Sequence, residues 1–393
     1  MIWFTRTLQE MLNQALSFGK SILLFGPRQT GKTSLVKSIP HDLYINLMDP
    51  NNLRKYEVAS GVLIEEIKAL CLMMTKSPLI IIDEIQKVPN LTDSIQILID
   101  EKIATFILTG SSARKIKNLL PGRVLRYEMT PLSIKELTSN NTHTLALEER
   151  LVNGSLPEIL VMSNQAQIDL QLNTYVNVYL EEEIRKEALV RNVGAFSNFL
   201  RLACIESGNI ANFNKLSQEI GVAHNTISDY YGILNDCMVV EKIEPLSKGS
   251  QRRRLTKSAK YILFDLGVRR IGALEPVNPT IKQKSELFEQ FIGLELRKLM
   301  LENSLNGQLL FWRDHAGPEV DYVIEYSGYY IPVEVKLTNS PKSKDIRHLL
   351  TFKNEYKNVK YAFVVCRIDI PRILTENVIA LPWQQLAKVF QGF

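Results

Sequence analysis

The sequence GPRQTGKT at residues 26–33 constrains this chain more than any other stretch. It fits the pattern G-x-x-x-x-G-K-[ST], in which glycines let the backbone bend so that successive N–H groups point at one phosphate group. An apolar run at residues 21–25 precedes it and a helix-compatible run at residues 32–39 follows. This strand, loop and helix order is typical of a phosphate-binding P-loop. A plain glycine turn between two core elements is the structural alternative.

The loop predicts ATP and Mg²⁺ as cofactors. Lys32 is expected to reach the β and γ phosphates, and the hydroxyl of Thr33 is expected to ligate Mg²⁺. The residues expected to surround the nucleotide are Gly26, Pro27, Arg28, Gln29, Thr30, Gly31, Lys32, Thr33 and Ser34.

A second anchor lies downstream, where the run LIIIDEIQ at residues 79–86 predicts a buried strand that ends in two acids. In this Walker B pattern Asp83 holds Mg²⁺ through water, and Glu84 takes the proton from the attacking water. A strand-end Asp-Glu pair alone is weak evidence, because acids also begin helices. The P-loop upstream makes the assignment specific.

The next buried strand ends in small hydroxyl residues, in the run ATFILTGSSA at residues 104–113. We expect this strand to lie between the two Walker strands, with Ser111 aimed at the γ-phosphate. The alternative is that these hydroxyls cap the following helix. Arg114, Arg123 and Arg126 follow, and one of them could stabilise transition-state charge as an arginine finger. Arg123 is the preferred candidate, although the sequence does not separate a finger from a surface arginine.

The composition is that of a cytoplasmic globular protein, with 45% hydrophobic and 23% charged residues. No apolar run is long enough to span a membrane, and the N-terminus lacks the apolar core of a signal peptide. The four cysteines are far apart and form no Cys-x-x-Cys pair, so we expect reduced thiols and no metal site there.

Positive charge is concentrated in one segment. Residues 248–260 hold six basic residues and no acid, whereas the whole chain has a net charge of only +5. Such a segment is typical of a contact with nucleic acid or another phosphate group, and a solvated linker is the alternative.

Residues 210–242 predict a winged helix-turn-helix. Two short helices, at residues 214–220 and 225–234, flank a turn at Gly221, and an extended stretch follows. The second helix would present outward the side chains of Asn225, Thr226, Ser228 and Asp229. These side chains can read base edges in DNA, with the basic segment as a wing on phosphate. Because Asp229 and Asp236 are unfavourable beside phosphate, a winged helix used for packing or protein contacts is the alternative.

The C-terminal region contains an acidic pair followed by a lysine. A hairpin turn at Ser327 and Gly328 would place Asp321 directly opposite Glu334. Opposed carboxylates repel each other, so the pair favours a cation between them. Mg²⁺ is the cation that prefers oxygen ligands.

Two more side chains extend this predicted metal site. Glu289, on an amphipathic helix at residues 285–300, could supply a further ligand, and Lys336 could orient or activate a water. Such a group can hydrolyse a phosphodiester. The alternative is a charged hairpin face that lysine neutralises.

The chain resembles the prokaryotic ATPases that pair an AAA-type P-loop domain with a DUF4143-type C-terminal region. The resemblance rests on GPRQTGKT, LIIIDEIQ, LTGSSA, PGR followed by PLSIKEL, NGSLPEIL, KYILFDLGVRR, LFEQF, FWRD, EVDYVIEY and VEVK. It implies an AAA-like core, a winged helix and a restriction-endonuclease-like PD-(D/E)xK fold. It carries over Lys32, Thr33, Asp83 and Glu84 for ATP, and Glu289, Asp321, Glu334 and Lys336 for a nuclease-like site.

The predicted fold class is α/β in four parts. These are an AAA-like P-loop ATPase core at residues 1–138, a helical lid and connector at 139–200, a winged helix-turn-helix at 201–274, and a restriction-endonuclease-like α/β domain at 275–393. The predicted function is ATP binding and hydrolysis that controls a DNA-binding C-terminal half, in one version DNA-cleaving. The alternatives are an ATP-gated binding switch that does not cleave and a protein-remodelling ATPase. A homo-oligomer is compatible with the sequence.

Overall fold

Two β-sheets organise the chain, one of five and one of eight strands. The computed structural model describes residues 4–112, 120–139, 146–183, 192–246, 258–314 and 317–391. Arg114 and residues 248–257 of the basic segment lie outside these ranges. The chain divides into one unit of Met1–Leu132, Leu156–Glu158 and Ile233–Val239, and another of Ser133–Ser155, Ile159–Gly232 and Val240–Phe393.

The helices are α1 (Leu8–Ser17), α2 (Lys32–Ser38), α3 (Pro50–Val58), α4 (Val62–Leu72), α5 (Leu91–Asp100), α6 (Ile134–Ser139), α7 (Leu147–Asn153), α8 (Pro157–Leu160), α9 (Gln165–Thr174), α10 (Val193–Ile205), α11 (Phe213–Ile220), α12 (His224–Asp236), α13 (Leu266–Gly272), α14 (Ile281–Glu302) and α15 (Arg347–Glu355). A π-helical segment spans Tyr175–Glu183, and 3₁₀ segments span Ile85–Lys87, Ser343–Ile346 and Trp383–Phe390. The strands are β1 (Ser21–Phe25), β2 (Leu43–Asn46), β3 (Leu79–Asp83), β4 (Thr105–Gly110), β5 (Val124–Glu128), β6 (Val240–Pro245), β7 (Lys260–Leu263), β8 (Gln308–Arg313), β9 (Glu319–Tyr326), β10 (Tyr329–Val335), β11 (Ala362–Cys366), β12 (Arg372–Thr375) and β13 (Val378–Pro382).

The five-stranded sheet is parallel and has the order β2-β3-β4-β1-β5. Strand β4 therefore lies between β1 and β3, as predicted. Every residue of β1 is buried, which is expected of a parallel sheet covered on both faces. Leu23 and Phe25 face one core and Ile22 and Leu24 face another, so alternate side chains of a single strand serve both sides.

The eight-stranded sheet has the order β12-β13-β11-β10-β9-β8-β6-β7. The two strands predicted to close a small sheet of the winged helix do pair with each other, with Ile243 opposite Lys260. Strand β6 also runs parallel to β8, with Glu244 opposite Leu310. The hairpin is therefore the edge of the larger sheet. An unpaired strand edge is a liability in a folded protein, and this pairing covers the edge of β8.

The hairpin register predicted for β9 and β10 is confirmed. Ser327 and Gly328 both have positive φ, 51° and 80°, as the two central residues of a type I′ turn require. The ladder runs from Tyr329 opposite Tyr326 to Val333 opposite Tyr322. Beyond this point the Asp321 side chain replaces the ladder, because its Oδ2 accepts the N–H of Val335 at 2.8 Å.

Helices α11 and α12 occupy the two segments predicted to form a helix-turn-helix, joined at Gly221 with φ 77°. Of the residues expected to face outward, Asn225, Ser228 and Asp229 are exposed and Thr226 is half-buried. Stacked aromatic rings hold α11 and α12 on the β7 strand, with Tyr231 4.0 Å from Tyr261 and 5.4 Å from Phe213 between ring centroids.

Helix α7, predicted to lie in a lid, shares a core with the C-terminal region. Leu147 and Leu151 pack in one cluster with Phe288, Phe291 and Ile292 of α14. The sequence shows that α7 has an apolar face, but the periodicity of a helix does not identify its packing partner.

A buried aspartate joins two of the sequence motifs. Oδ2 of Asp265 accepts the N–H of Ser155 at 2.7 Å, and Oδ1 accepts the N–H groups of Gly267 and Val268 at 2.9 and 3.1 Å. A Cβ atom at Gly154 would lie 2.0 Å from Asp265 Oδ1, so only glycine fits there. The NGS and DLG sequences therefore make direct contact.

We predict that Asp265→Ala lowers the free energy of unfolding by about 3 kcal/mol or more, because it leaves three buried N–H groups without acceptors. Asp49→Ala is the matched control. Asp49 caps α3 at the surface through the N–H groups of Asn51 and Asn52, and its loss should cost only about 1 kcal/mol. Urea unfolding followed by circular dichroism measures both, and equal losses would contradict the assignment.

Candidate functional site

The P-loop follows β1 at the carboxyl edge of the parallel sheet. A Cβ atom at Gly26 would lie 2.3 Å from the carbonyl oxygen of Met129, so the close approach of the two backbones requires glycine. Thr30 is buried and donates its hydroxyl to the Pro27 carbonyl at 2.8 Å. Arg28 and Gln29 are half-buried in the loop that leads to α2, and Ser34 is exposed on that helix.

Lys32 lies under this loop. Its ammonium donates to the carbonyl oxygens of Gly26 and Pro27 at 2.8 and 2.9 Å, and the residue is only 5% exposed. Arg6 connects the P-loop to the segment after β5. Its guanidinium donates to the carbonyl of Thr30 at 2.7 Å and to the carbonyl of Thr130 at 2.6 Å. Sequence analysis missed Arg6, since nothing in its local sequence connects it to the P-loop.

Asp83, at the end of β3, lies against the P-loop. Its Oδ2 accepts the hydroxyl of Thr33 at 2.8 Å and the hydroxyl of Tyr44 at 2.8 Å. Its Oδ1 accepts the hydroxyl of Thr109. The two predicted Mg²⁺ ligands, Thr33 and Asp83, are thus hydrogen-bonded to each other, and their oxygens suit this cation.

Tyr44 is a site residue that sequence analysis did not identify, and Thr109 is one of the strand-end hydroxyl residues, among which Ser111 was preferred. Burial and the Asp83 carboxylate raise the pKa of Tyr44, so its hydroxyl remains a donor. Thr109 also accepts the backbone N–H of Glu84 at 3.1 Å and so connects the two acids of the Walker B pair. Both residues are on strands adjacent to β3, and the strand order could have identified them.

Glu84 is held in a restrained position. Its backbone is left-handed, with φ 62° and ψ 46°, which costs a residue with a side chain about 1–2 kcal/mol. The amide of Gln86 donates to Glu84 Oε2 and, at 2.9 Å, to the hydroxyl of Ser111. Ser111 Oγ lies 3.3 Å from the same carboxylate oxygen. Ser111, predicted to face the γ-phosphate, therefore lies beside the predicted base.

We predict that Gln86→Ala lowers kcat for ATP hydrolysis roughly tenfold, because Glu84 loses the donor that positions it. The Kd for ATP should be unchanged, since the amide of Gln86 donates to Glu84 and Ser111 and not to the P-loop in the part of the chain that the structure describes. Gln14→Ala, on the exposed face of α1, is the control and should leave both constants unchanged. Steady-state turnover together with nucleotide titration separates the two effects, and a weaker Kd in Gln86→Ala would argue against a positioning role.

Arg123 lies at the other edge of the sheet. Strand β5 begins at Val124, which pairs with Ser21 at the amino end of β1. The P-loop is a full strand length away, roughly 16 Å for five residues. The Arg123 guanidinium is paired with Asp100, with Nε–Oδ1 at 2.7 Å and Nη2–Oδ2 at 3.0 Å. Arg123 therefore does not reach the P-loop of its own chain, and a finger role would require a second copy.

The second candidate site is a cluster of carboxylates and lysines on β7, β9, α14 and β10 and its C-terminal end, in which Asp321, Glu334 and Lys260 are buried and Glu289 and Lys336 are half-buried. Glu334 Oε1 accepts the ammonium of Lys336 at 2.6 Å, and Glu289 Oε1 accepts that of Lys260 at 3.0 Å. Asp321 and Glu334 are 6% and 4% exposed. The sequence predicted four of these residues and missed Lys260, which comes from the hairpin of another predicted domain.

The charges of this cluster interact strongly. Burial raises the pKa of Glu289 and of Asp321, and burial together with the Asp321 carboxylate raises the pKa of Glu334 well above its usual range. Burial opposes ionisation of Lys336, but the carboxylates of Asp321 and Glu334 outweigh it and raise the pKa of this lysine. Burial therefore disfavours the ionised carboxylates, and the neighbouring lysines partly offset this effect.

The carboxylates are ligands of the kind that a divalent cation prefers. Their positions among the described residues, however, are not those of a metal site. Oε2 of Glu334 is buried and has no hydrogen-bond partner within the ranges that the structure describes, as expected of a ligand atom. In the same ranges, no group of three or more His, Cys, Asp or Glu residues is close enough to hold a metal ion. The ammonium groups of Lys260 and Lys336 pair with two of the three carboxylates instead. The predicted metal role of Glu289, Asp321 and Glu334 stays a prediction.

Comparison with protein families identifies the classes of domain present. Residues 19–138 match the AAA domain family, which agrees with the parallel sheet and its P-loop. Residues 284–386 match a domain of unknown function, DUF4143. The region between, residues 144–279, matches another domain of unknown function, DUF8612. The chain thus matches an AAA domain family in its N-terminal part and the DUF4143 family in its C-terminal part.

Three relatives that the chain matches are described as uncharacterized proteins. The uncharacterized proteins Rv2008c of Mycobacterium tuberculosis and Mb2031c of Mycobacterium bovis are each 26% identical over 355 residues, which is 86% of this chain and 75% of theirs. The uncharacterized protein MJ1637 of Methanocaldococcus jannaschii is 25% identical over 61% of this chain and 59% of its own. Protein VC1899 from Vibrio cholerae, known from a crystal structure, aligns with 94% of this chain and 89% of its own at 12% identity, with a TM-score of 0.19 that is too low for a conclusion. Among the helices of the described ranges, none has the length and apolarity needed to cross a bilayer.

Proposed function

We propose that this chain binds and hydrolyses Mg-ATP at the P-loop and uses the nucleotide state to control a nucleic-acid-binding C-terminal half. The observation that carries the ATPase part is the hydrogen bond between Thr33 and Asp83. Glu84 is next in sequence, and its carboxylate is held by Gln86 and Ser111. These contacts bring together the residues for phosphate binding, cation binding and water activation.

Each residue has a defined task in this mechanism. The ammonium of Lys32 leaves the loop carbonyls and neutralises phosphate oxygens, while the loop N–H groups hold the phosphate chain. Glu84 accepts the proton of the attacking water, and Ser111 orients the carboxylate or the γ-phosphate. Thr33 and Asp83 would hold Mg²⁺, which would supply charge neutralisation at the phosphates.

We predict that Lys32→Ala weakens ATP binding roughly a hundredfold or more, because a buried charge-assisted contact to phosphate is lost. Glu84→Gln should bind ATP normally and turn over about a hundredfold to ten-thousandfold more slowly, since only the proton acceptor is removed. Nucleotide titration and phosphate release measure the two constants. A Lys32→Ala protein that binds ATP as tightly as the native chain would refute the P-loop assignment.

The nucleic-acid half rests on α12 and the surface beside it. Asn225, Ser228 and Asp229 are exposed on this helix and offer donors and acceptors to base edges. A groove of about 720 Å³ adjoins the helix, and its lining includes Phe213, His224, Ser228, Lys242, Tyr261 and Arg313. The rings suit bases, and Lys242 and Arg313 would suit phosphates if they exchanged their ion pairs with Glu244 and Glu319 for them.

A second candidate function is metal-dependent hydrolysis of a phosphodiester at the carboxylate cluster. Glu334 supports it, because one of its oxygens is buried and has no partner within the described residues. Glu289, Asp321 and Glu334 would hold the cation, which supplies Lewis acidity at the phosphate. Lys336 would orient the attacking water. The pairing of both lysines with carboxylates favours the rival, a non-cleaving fold that only binds.

If the carboxylate cluster is a nuclease site, DNA is cleaved with Mg²⁺ or Mn²⁺, and we predict that Glu334→Ala abolishes cleavage without lowering ATP turnover, because the two sites use different residues. Glu376→Ala, at an exposed position, is the control and should cleave normally. Supercoiled and linear DNA and RNA are incubated with each protein with and without ATP, and ATP turnover is measured with and without DNA. Absence of cleavage would favour the ATP-gated binding switch, and absence of any DNA effect on turnover would favour a protein-remodelling ATPase.

A further inference from the structure

A lysine from the β6–β7 hairpin is part of the carboxylate cluster. The Lys260 ammonium lies 3.0 Å from Glu289 Oε1, and its side chain is 9% exposed. Its backbone is fixed by pairing with Ile243 in β6 and by a bridge to Ile210. The ring of Phe311 lies against the ammonium, with 5.1 Å from Nζ to the ring centroid. The lysine is thus held in the cluster by its backbone and by packing.

The neighbouring carboxylate is fixed as well. Tyr322 donates its hydroxyl to the backbone carbonyl of Glu289 at 3.0 Å, which anchors α14 on β9 one residue from Asp321. Glu289 is therefore held near Asp321, and the charges of these two residues interact. In this arrangement Glu289 Oε1 is bonded to the ammonium of Lys260 at 3.0 Å.

The charge of the cluster depends on this lysine. Three carboxylates, of Glu289, Asp321 and Glu334, face the two ammonium groups of Lys260 and Lys336. When all five groups are ionised, a single negative charge remains, and a divalent cation would overcompensate it. Without Lys260 the remainder is two negative charges, which a divalent cation matches.

The two lysines differ in freedom. The Lys336 side chain is 37% exposed and follows the end of β10, two residues after Glu334, so it can turn into solvent without a change in the backbone. Lys260 is enclosed and is the lysine that bonds Glu289. A cation that binds Glu289 therefore has to displace Lys260.

We propose that Lys260 is a resident counter-ion that occupies the ligand position of Glu289, so that a divalent cation binds the cluster only in competition with this ammonium. The inference rests on the metal site of the proposed function and adds its regulation. It accounts for an arrangement in which three acids lie near each other but do not form a metal-holding group among the described residues.

The test measures Mn²⁺ binding by electron paramagnetic resonance in the full-length protein. All proteins carry Thr33→Val and nucleotide is left out, so that the P-loop contributes no second site. Lys260→Met should bind Mn²⁺ about tenfold tighter or more, because a buried positive charge beside the cation is removed. Lys260→Met combined with Glu289→Gln should return to near the affinity of the parent, since the released ligand is lost again. Lys260→Gln, checked for folding by circular dichroism, should tighten binding in the same direction.

The outcomes separate the two proposals. Measurable Mn²⁺ binding with equal affinity in the parent, Lys260→Met and Lys260→Gln would overturn the counter-ion role and leave the metal site standing. Absence of Mn²⁺ binding in every protein, including folded Lys260→Gln, would overturn the metal site and the counter-ion role together. Tighter binding that persists in the double variant would show that Glu289 is not the competing ligand.

Discussion

Buried carboxylates constrain the fold inside each of the two units. Every buried carboxylate needs hydrogen-bond donors or positive charge in place of water. Asp83 receives hydroxyl groups, Asp265 receives backbone N–H groups, and Glu334 receives an ammonium group. The kind of donor decides what each acid can do. Backbone N–H groups are fixed by the fold and make Asp265 structural. A hydroxyl can turn its lone pairs to a cation, which leaves Asp83 able to bind one. An ammonium group is displaced only by another positive charge. Glu334 is therefore intermediate, because it can bind a cation only in place of an ammonium group.

The parallel sheet explains which parts of the site could be predicted from the sequence. The carboxyl ends of adjacent parallel strands meet at one edge, so the P-loop, Asp83 and Ser111 had to lie together once their strands were recognised. The same rule places Arg123 at the opposite edge, because it precedes its strand. The register of the β9–β10 hairpin was predictable for a similar reason, since a two-residue turn fixes every pair that follows.

What could not be predicted involves contacts between elements that are distant in sequence. Arg6 supports a loop whose local pattern is complete without it, and Lys260 joins Glu289 from a hairpin that was assigned to another domain. The sequence also did not identify α14 as the helix against which α7 packs, because an apolar helix face can pack against many different elements. Two of the motifs behind the family resemblance, NGSLPEIL and KYILFDLGVRR, have structural roles. Asp265 joins them, and Arg270 adds a 2.9 Å bond from its Nε to the Val152 carbonyl.

The insertion of β6 and β7 into the large sheet affects how the chain can be divided. A fragment that begins at residue 275, the start of the DUF4143-like region by sequence, would lack both strands. It would expose the edge of β8, with unpaired N–H and C=O groups available to other chains, and is expected to aggregate. It would also leave Glu289 without its lysine, so any metal affinity measured on that fragment would describe a site that the intact protein does not contain.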